Sequence, residues 1–587
     1  MKKNILFLLF SIPIFLLGIE ISGEQSGSWD AVDNPHLLVG DVTVPAGEEL
    51  IVNPGVELIA QGNYRITVEG IIQVQGTVTD SVKLYGAGGS FWGGIRLESE
   101  SGINMVNYCR ISNTNDDNDY AVHAVSSGVM IENCVFNDHK KAVGFSGLST
   151  DFPPEMHIRK SKIYDCEYNG IIVTDNSNVI VDSCEITFCG TGTQYRGAIQ
   201  LALQTSAHSC SPQISNNWIH DNGKQGIIMG NIFNYSGMSP EVLNNTIEYN
   251  LTGIYLFNAE GFYRNNQILN NYELNNPNSG AGIMLWGSGA DGIFTGNELS
   301  GNFTGVYLGD GATANFGDVF NASILDDGGN YIHDNVDQSG NLYSIYNIST
   351  QDVMAQNNVW DSFDPGEIAN TIYDGLDLPG YGIVNFEPLM ELDFPMVDGL
   401  DYQIFDNYVE LNWEEPEFSF PLVLEYYEVY LDGNLITETT DLFYLLEELV
   451  NGQTYQVGVI SIYNLGVSPT ASLEFIYTGT GFTGQELPAV VNLKIAPNPF
   501  REETIISYQL LDPCNKNSET EKTVNLKIYN LKGQLIRTLI EKTELTLGQT
   551  LIWDGRDSQN RKLVSGIYFC RLSIGDKLFF RKINLIK

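Results

Sequence analysis

Positive charge is scarce in this chain. Its 587 residues hold 30 Lys and Arg against 72 Asp and Glu, a net charge of −42. Residues 361–483 have no Lys or Arg beside 23 acids. Such a surface repels nucleic acid and anionic membranes, so neither is expected as a partner. The chain also has no Cys-x-x-Cys pair, no Gly-x-x-x-x-Gly-Lys loop, no Gly-x-Ser-x-Gly elbow and no His-Glu-x-x-His. Zinc sites, phosphate loops, serine hydrolases of that type and zinc proteases thus lose their usual carriers. Beyond residue 23 no apolar run reaches the roughly 20 residues of a membrane helix, so no span is expected in the mature chain. Only 17% of residues are charged and 59 are glycine, which fits turn-rich β structure better than helix bundles.

At the N-terminus, Lys2 and Lys3 precede an apolar run from Ile5 to Leu17 and then small and polar residues. This order predicts a secretory signal over 1–23, cut between Gly18 and Glu24.

What the chain does contain is a repeat. A small polar residue, any residue and a large apolar residue recur as CRI at Cys109, CVF at Cys134, SKI at Ser161 and CEI at Cys184. The phrase continues as NWI at Asn217, NTI at Asn245, NQI at Asn266, NEL at Asn297 and NYI at Asn330. A second phrase follows most copies: GIIV at Gly170, GIIM at Gly226, GIYL at Gly253, GIML at Gly282 and GVYL at Gly305. Copies of the first phrase lie 21 to 33 residues apart. Units of this size bury their apolar faces only by stacking on neighbours, which predicts a solenoid. Two-residue alternation from Val42 to Val106 supplies its first coils.

In stacked coils, like-placed residues form columns. Asn217, Asn245, Asn266, Asn297 and Asn330 then share one corner, and Asn222, Asn250, Asn271, Asn302 and Asn335 another. Side-chain amides there can bond backbone groups and each other. Cys109, Cys134 and Cys184 take the first slot in earlier coils, and Cys166 and Cys189 the second. They read as small buried side chains, with a disulfide between coils open to an exported protein.

These phrases resemble the right-handed parallel β-helix repeats of secreted bacterial proteins, and the stretch from Asn357 to Leu389 resembles a closing coil. The strand signals around Trp413, Tyr427 and Tyr455 look like a fibronectin type III module. The segment with PNPF at Pro497, VNLKIYNLKGQLIRTL from Val524 and IWDGRDSQNRKLVSGIYFCRL from Ile552 is similar to the C-terminal sorting domain of the type IX secretion system. The fold expected is therefore all-β: a β-helix over 24–393, a fibronectin-like sandwich over 394–480 and an Ig-like sorting domain over 485–587. The last resemblance implies the type IX machinery as a partner and a secreted or outer-membrane cell-surface location.

The outward positions of the GI strand give the candidate binding surface. Read along the coils they are His123, Gly144, Ile172, Gln200, Ile228, Tyr255, Met284, Tyr307 and Tyr346, with Phe257 and Trp286 two residues further on. Tyr255, Phe257, Met284, Trp286, Tyr307 and Tyr346 should form an apolar, aromatic strip that a saccharide polymer or a surface partner could follow. The segments 231–241 and 271–281 are long enough to cover it. Acids just beyond the strip are Glu260, Asp291 and Asp310. They are the only catalytic candidates, should the scaffold be a polysaccharide lyase or glycoside hydrolase. A structural adhesive without a specific ligand is the third class left open. No cofactor is expected. Calcium is the one cation that an element of the sequence suits, the acidic loop from Asn113 to Tyr120, and that loop lacks an ordered ligand spacing.

Overall fold

The computed structural model describes residues 18–585 apart from 101, 115–119, 148–154, 193–196, 233, 235, 273–279, 338, 480–490, 499, 502, 511–522, 531–533, 545–547 and 575–576. The signal segment up to residue 17 and most of the acidic loop after Asn113 fall outside the described residues.

From Ile19 to Asn385 the chain winds as a parallel β-helix. Each full coil places one strand on each of three lateral sheets, and every pairing between coils is parallel. A representative coil runs Glu260–Arg264, Gln267–Leu269, Ala281–Trp286, and the next begins at Asp291–Thr295. Inward residues alternate with outward ones, as a pleat requires. In the GI strand Ile254, Leu256, Ile283 and Leu285 are fully buried, while Tyr255 and Met284 between them are half-exposed. The first rung is Ile19–Glu24, which pairs with His36–Val44, so the chain enters the sheet inside the segment read as signal peptide.

The two asparagine columns close as hydrogen-bonded ladders. Nδ2 of Asn217 donates to Oδ1 of Asn245 at 2.9 Å, and the same bond runs Asn245 to Asn266 (2.9 Å), Asn266 to Asn297 (3.0 Å), Asn297 to Asn330 (2.9 Å) and Asn330 to Asn358 (2.9 Å). At the second corner the chain is Asn222, Asn250, Asn271, Asn302 and Asn335, with spacings of 3.0, 3.1, 2.9 and 2.9 Å. Each Oδ1 also accepts the backbone N–H of the preceding rung's Asn, and each Nδ2 also donates to a backbone carbonyl. Corner peptide groups that no strand reaches are thereby satisfied. The cysteines extend the columns: the N–H of Cys184 donates to Asn217 Oδ1 and that of Cys189 to Asn222 Oδ1, both at 2.9 Å. Cys109, Cys134, Cys166, Cys184 and Cys189 are buried free thiols, and burial raises the pKa of Cys134 and Cys184 to about 12. Such thiols pack as small apolar groups.

The tight corners have a conformational requirement. Asn216, Asn244 and Asn265, each just before a ladder Asn, are left-handed, with φ of 57°, 55° and 53°. Asparagine tolerates that region better than most residues. In the next coil Gly296 takes the position with φ 64°. Inside the helix a second column stacks the rings of Tyr263, Phe294 and Phe316, with centroids 4.6 and 4.5 Å apart and planes within 17° and 11°.

Two antiparallel modules follow. In the first, Asp398–Ile404, Tyr408–Glu414 and Phe443–Glu447 form one sheet, and Leu424–Leu431 and Thr454–Tyr463 centre the other. Buried Trp413 meets Tyr427 edge to face at 5.6 Å, and the Tyr455 hydroxyl accepts the Val450 N–H at 2.8 Å. In the last module a three-stranded and a four-stranded sheet enclose Trp553, which has Phe500 and Tyr568 rings at 5.5 and 5.6 Å.

Candidate functional site

The outward column of the GI sheet is continuous. Cα partners run Thr67, Arg96, His123, Gly144, Ile172, Gln200, Ile228, Tyr255, Met284, Tyr307, Tyr346 and Tyr373. Phe257 and Trp286 pair beside it, and Trp286 pairs onward to Gly309. Glycine at 309 makes room for the indole, since a Cβ there would lie 2.5 Å from the Trp286 ring. Tyr255, Phe257, Met284, Trp286, Tyr307 and Tyr346 are all half-exposed.

The rings form a stack. Trp286 and Tyr307 lie 6.4 Å apart with planes at 7°, Tyr307 and Tyr346 5.6 Å at 6°, and Tyr346 and Tyr373 4.5 Å at 10°. Tyr343 meets Tyr346 edge-on at 5.4 Å and Tyr381 lies 6.4 Å from Tyr373. Rings stacked along the axis turn their faces to one another and their edges outward. Burial, then the neighbouring tyrosines, raises the pKa of Tyr346, so its phenol stays a protonated donor at neutral pH. Tyr373, Tyr343 and Tyr381 are the members that sequence reasoning missed. The signal was present for Tyr373: Thr371-Ile372-Tyr373-Asp374 repeats the pattern of Ser344-Ile345-Tyr346-Asn347 without the glycine.

The candidate acids lie elsewhere. Exposed Glu260 and Asp291 are Cα partners on the neighbouring sheet, one rung (about 4.8 Å) apart. Partial desolvation by the surrounding protein raises the pKa of Asp291. Asp310 does not join them, because the partner of Asp291 is Thr313 and Asp310 sits in the preceding turn with φ 52°. Of the covering segments, Asn231 donates to the Asn258 carbonyl at 2.8 Å and the Asn234 side chain abuts Gly289, so this loop follows the corner beside the strip. Residues 273–279 lie outside the described residues.

His220 and His333 are packed beneath aromatic rings. His220 is buried and stacks on Trp218 at 3.7 Å, and His333 stacks on Tyr331 at 3.7 Å. The His333 ring lies 3.5 Å from Glu298 and 2.8 Å from Asp334. Burial pulls its pKa down, but these acids outweigh burial and hold it above 6.5. Glu298 is lowered below 4.5, chiefly by its bond with His333. The raised histidine stabilises the fold at pH below its unfolded value and loses this as pH rises through the folded value. The depressed glutamate stabilises above its unfolded value and loses this as pH falls. The pair therefore contributes most between about 4.5 and 6.5. Urea midpoints from pH 5 to 8 should decline on the alkaline side in the parent, and His333→Gln should flatten that decline.

Comparison with known proteins adds two family matches. Residues 93–234 match the right handed beta helix region, and residues 494–586 match the secretion system C-terminal sorting domain. This is a secreted or cell-surface protein of the type IX route. The exported chain matches no curated protein. Among solved structures it is similar to the central fibronectin-III array of RIM-binding protein, at 14% identity over 33% of this chain and 69% of that one, with a TM-score of 0.13. It is also similar to latent PorU from Porphyromonas gingivalis, at 14% identity over 33% of this chain and 20% of that one, with a TM-score of 0.21. A two-domain fibronectin type III segment of chicken tenascin matches at 12% identity over 32% of this chain and 99% of that one, with a TM-score of 0.13. Among the described residues no helix is long and apolar enough to cross a membrane, and no cluster of acids, histidines and cysteines is arranged to hold a metal.

Proposed function

We propose that the β-helix of this exported protein holds a saccharide polymer along the outward column from Tyr255 to Tyr373. The observation that supports this reading is the unbroken register of half-exposed apolar and aromatic side chains over successive coils. A linear array repeating about every 4.8 Å suits a linear, repeating ligand. Ring edges and phenol hydroxyls at Tyr307, Tyr346 and Tyr373 would meet sugar C–H groups and hydroxyls, while Tyr255, Phe257, Met284 and Trp286 supply the broader apolar part. Binding is preferred to hydrolysis because Glu260 and Asp291 belong to a different lateral sheet from the strip.

Affinity electrophoresis in gels containing neutral and charged polysaccharides tests this. Tyr346→Ala and Trp286→Ala should each weaken retention on a binding polymer about tenfold, and Tyr346→Phe by less, since it loses only the hydroxyl. Retention of all three variants equal to the parent would remove the strip as the binding surface.

A further inference from the structure

One cation of the β-helix stands apart. Arg264 is the last Lys or Arg before Lys494. It ends the strand Glu260–Arg264, whose sheet is separate from that of the aromatic strip, and its Cα partner on the next coil is Thr295. The guanidinium lies 5.4 Å from the centre of the Phe262 ring, and its Nε is buried with no hydrogen-bond partner. Among the described residues no carboxylate pairs with it. Buried donors are as a rule bonded, and a guanidinium donor is best matched by an anionic acceptor. The same side chain lines a cavity of about 300 Å³ with Ile324, Leu325, Asp327, Gly328 and Gly329. The two glycines, with φ of 80° and 78°, bring no side chain into it. The loop over 318–327 supplies the apolar wall and holds it by polar pins. Ile324 and Leu325 are 83% and 56% exposed, whereas Asp326 beside them is 6% exposed. Asp326 Oδ2 accepts Nδ2 of both Asn315 and Asn321 at 2.8 Å, and its carbonyl accepts the Asp318 N–H at 2.9 Å. Asn321 Oδ1 accepts the Ser323 N–H at 2.6 Å, and Ser323 Oγ accepts the Leu325 N–H at 3.2 Å. These bonds fix two large apolar side chains in water instead of folding them inward, which is what a preformed docking wall requires.

We propose that this pocket binds an apolar α-amino-acid unit with a free carboxylate, the carboxyl-terminal end of a polypeptide. Arg264 takes the carboxylate in its planar fork. Ile324 and Leu325 cover the apolar side chain, and Asp327 accepts the N–H of the same unit. Arg264 and Asp327 line one cavity without pairing with each other, so a ligand that carries both an acceptor and a donor satisfies each wall. Asp326, the other acid of the loop, is already engaged by its amide donors. A volume of about 300 Å³ lies at the lower end of the range for small-ligand sites, which suits one such unit and not a long polymer. A free amino acid offers the same carboxylate and apolar side chain, with an ammonium in place of the peptide N–H.

The test is isothermal titration calorimetry of the intact protein with N-acetyl-Gly-Leu-Leu, as the free acid and as the C-terminal amide, and with free leucine. The peptide acid should bind with a Kd of about 1 mM or tighter, and the amide at least about tenfold more weakly. Arg264→Gln should weaken binding of the acid by about tenfold or more, and Arg264→Lys by less, since it keeps the charge and loses the fork. Leu325→Ser, at an exposed position that leaves the fold intact, should weaken it severalfold, so the pocket remains testable if the Arg264 variants melt early. Leucine bound as tightly as the peptide acid identifies a free amino acid as the ligand, and weaker binding identifies a chain end. Equal binding of acid and amide, binding unchanged in both Arg264→Gln and Leu325→Ser, or no binding of peptide acid or leucine at about 10 mM would overturn the pocket. Polysaccharide retention should be the same in parent and variants, because the pocket and the aromatic strip lie on different sheets.

Discussion

Asn266→Ala should destabilise the β-helix by about 3–5 kcal/mol, the cost of leaving buried backbone groups without partners. The Asn266 Oδ1 accepts both the N–H and the Nδ2 of Asn245, at 3.0 and 2.9 Å, and its Nδ2 donates to the Val242 carbonyl at 2.8 Å. Alanine removes these three bonds, and the one from Nδ2 to Asn297 Oδ1, in a corner where Asn245 and Asn266 are fully buried. Water does not reach these groups, so the full desolvation penalty applies. Asn266→Asp should be at least as damaging, because it sets an acceptor or a buried charge against the carbonyl of Val242 and the Oδ1 of Asn297. Urea unfolding followed by circular dichroism measures the loss, and hydrogen exchange should show it concentrated in the coils on either side of residue 266. A cost below about 1 kcal/mol would mean that the ladder is incidental to stability.

Phe294→Ala should cost a similar amount, about 3–5 kcal/mol, by a different mechanism. Phe294 is wholly buried between the rings of Tyr263 and Phe316. Removing it opens a cavity that the rigid coils above and below cannot collapse into. Its ring also fills the space over Gly292, where a Cβ would come within 2.7 Å of it. Phe294→Leu fills much of that volume and should cost less than half as much. Equal costs for the leucine and alanine variants would show that ring stacking, rather than volume, holds this part of the core.

Much of this architecture was legible because a solenoid converts distance along the chain into position in space. Once Asn217, Asn245 and Asn266 are recognised as equivalent, their contact follows, and with it the register of Tyr255, Met284, Tyr307 and Tyr346. The reading weakened where coils change length. Asp310 follows the GVYL strand as Glu260 and Asp291 follow theirs, yet it comes directly after Gly309 and stays in the turn, and Thr313 takes the place opposite Asp291. Tyr373 was legible in the same way as Tyr346: Thr371 stands where the earlier strands have glycine, as Ser344 does before Tyr346. His220 and His333 occupy an outward slot, yet Trp218 and Tyr331 two residues earlier fold over them.

The letters alone determined the stacking of coils, the membership of each column and the sorting module at the C-terminus, since all three follow from local phrases and their spacing. Only the tertiary structure decided which way the side chains lean once they are in line. It turned the tyrosine faces toward one another, laid Trp286 over Gly309, and set the rings of Tyr120 and His123 over Gly144. The reason is physical: periodicity fixes where a Cα lies, whereas the rotamer of an outward side chain depends on the free space left by residues one coil away, and here that space was set by two glycines, Gly144 and Gly309.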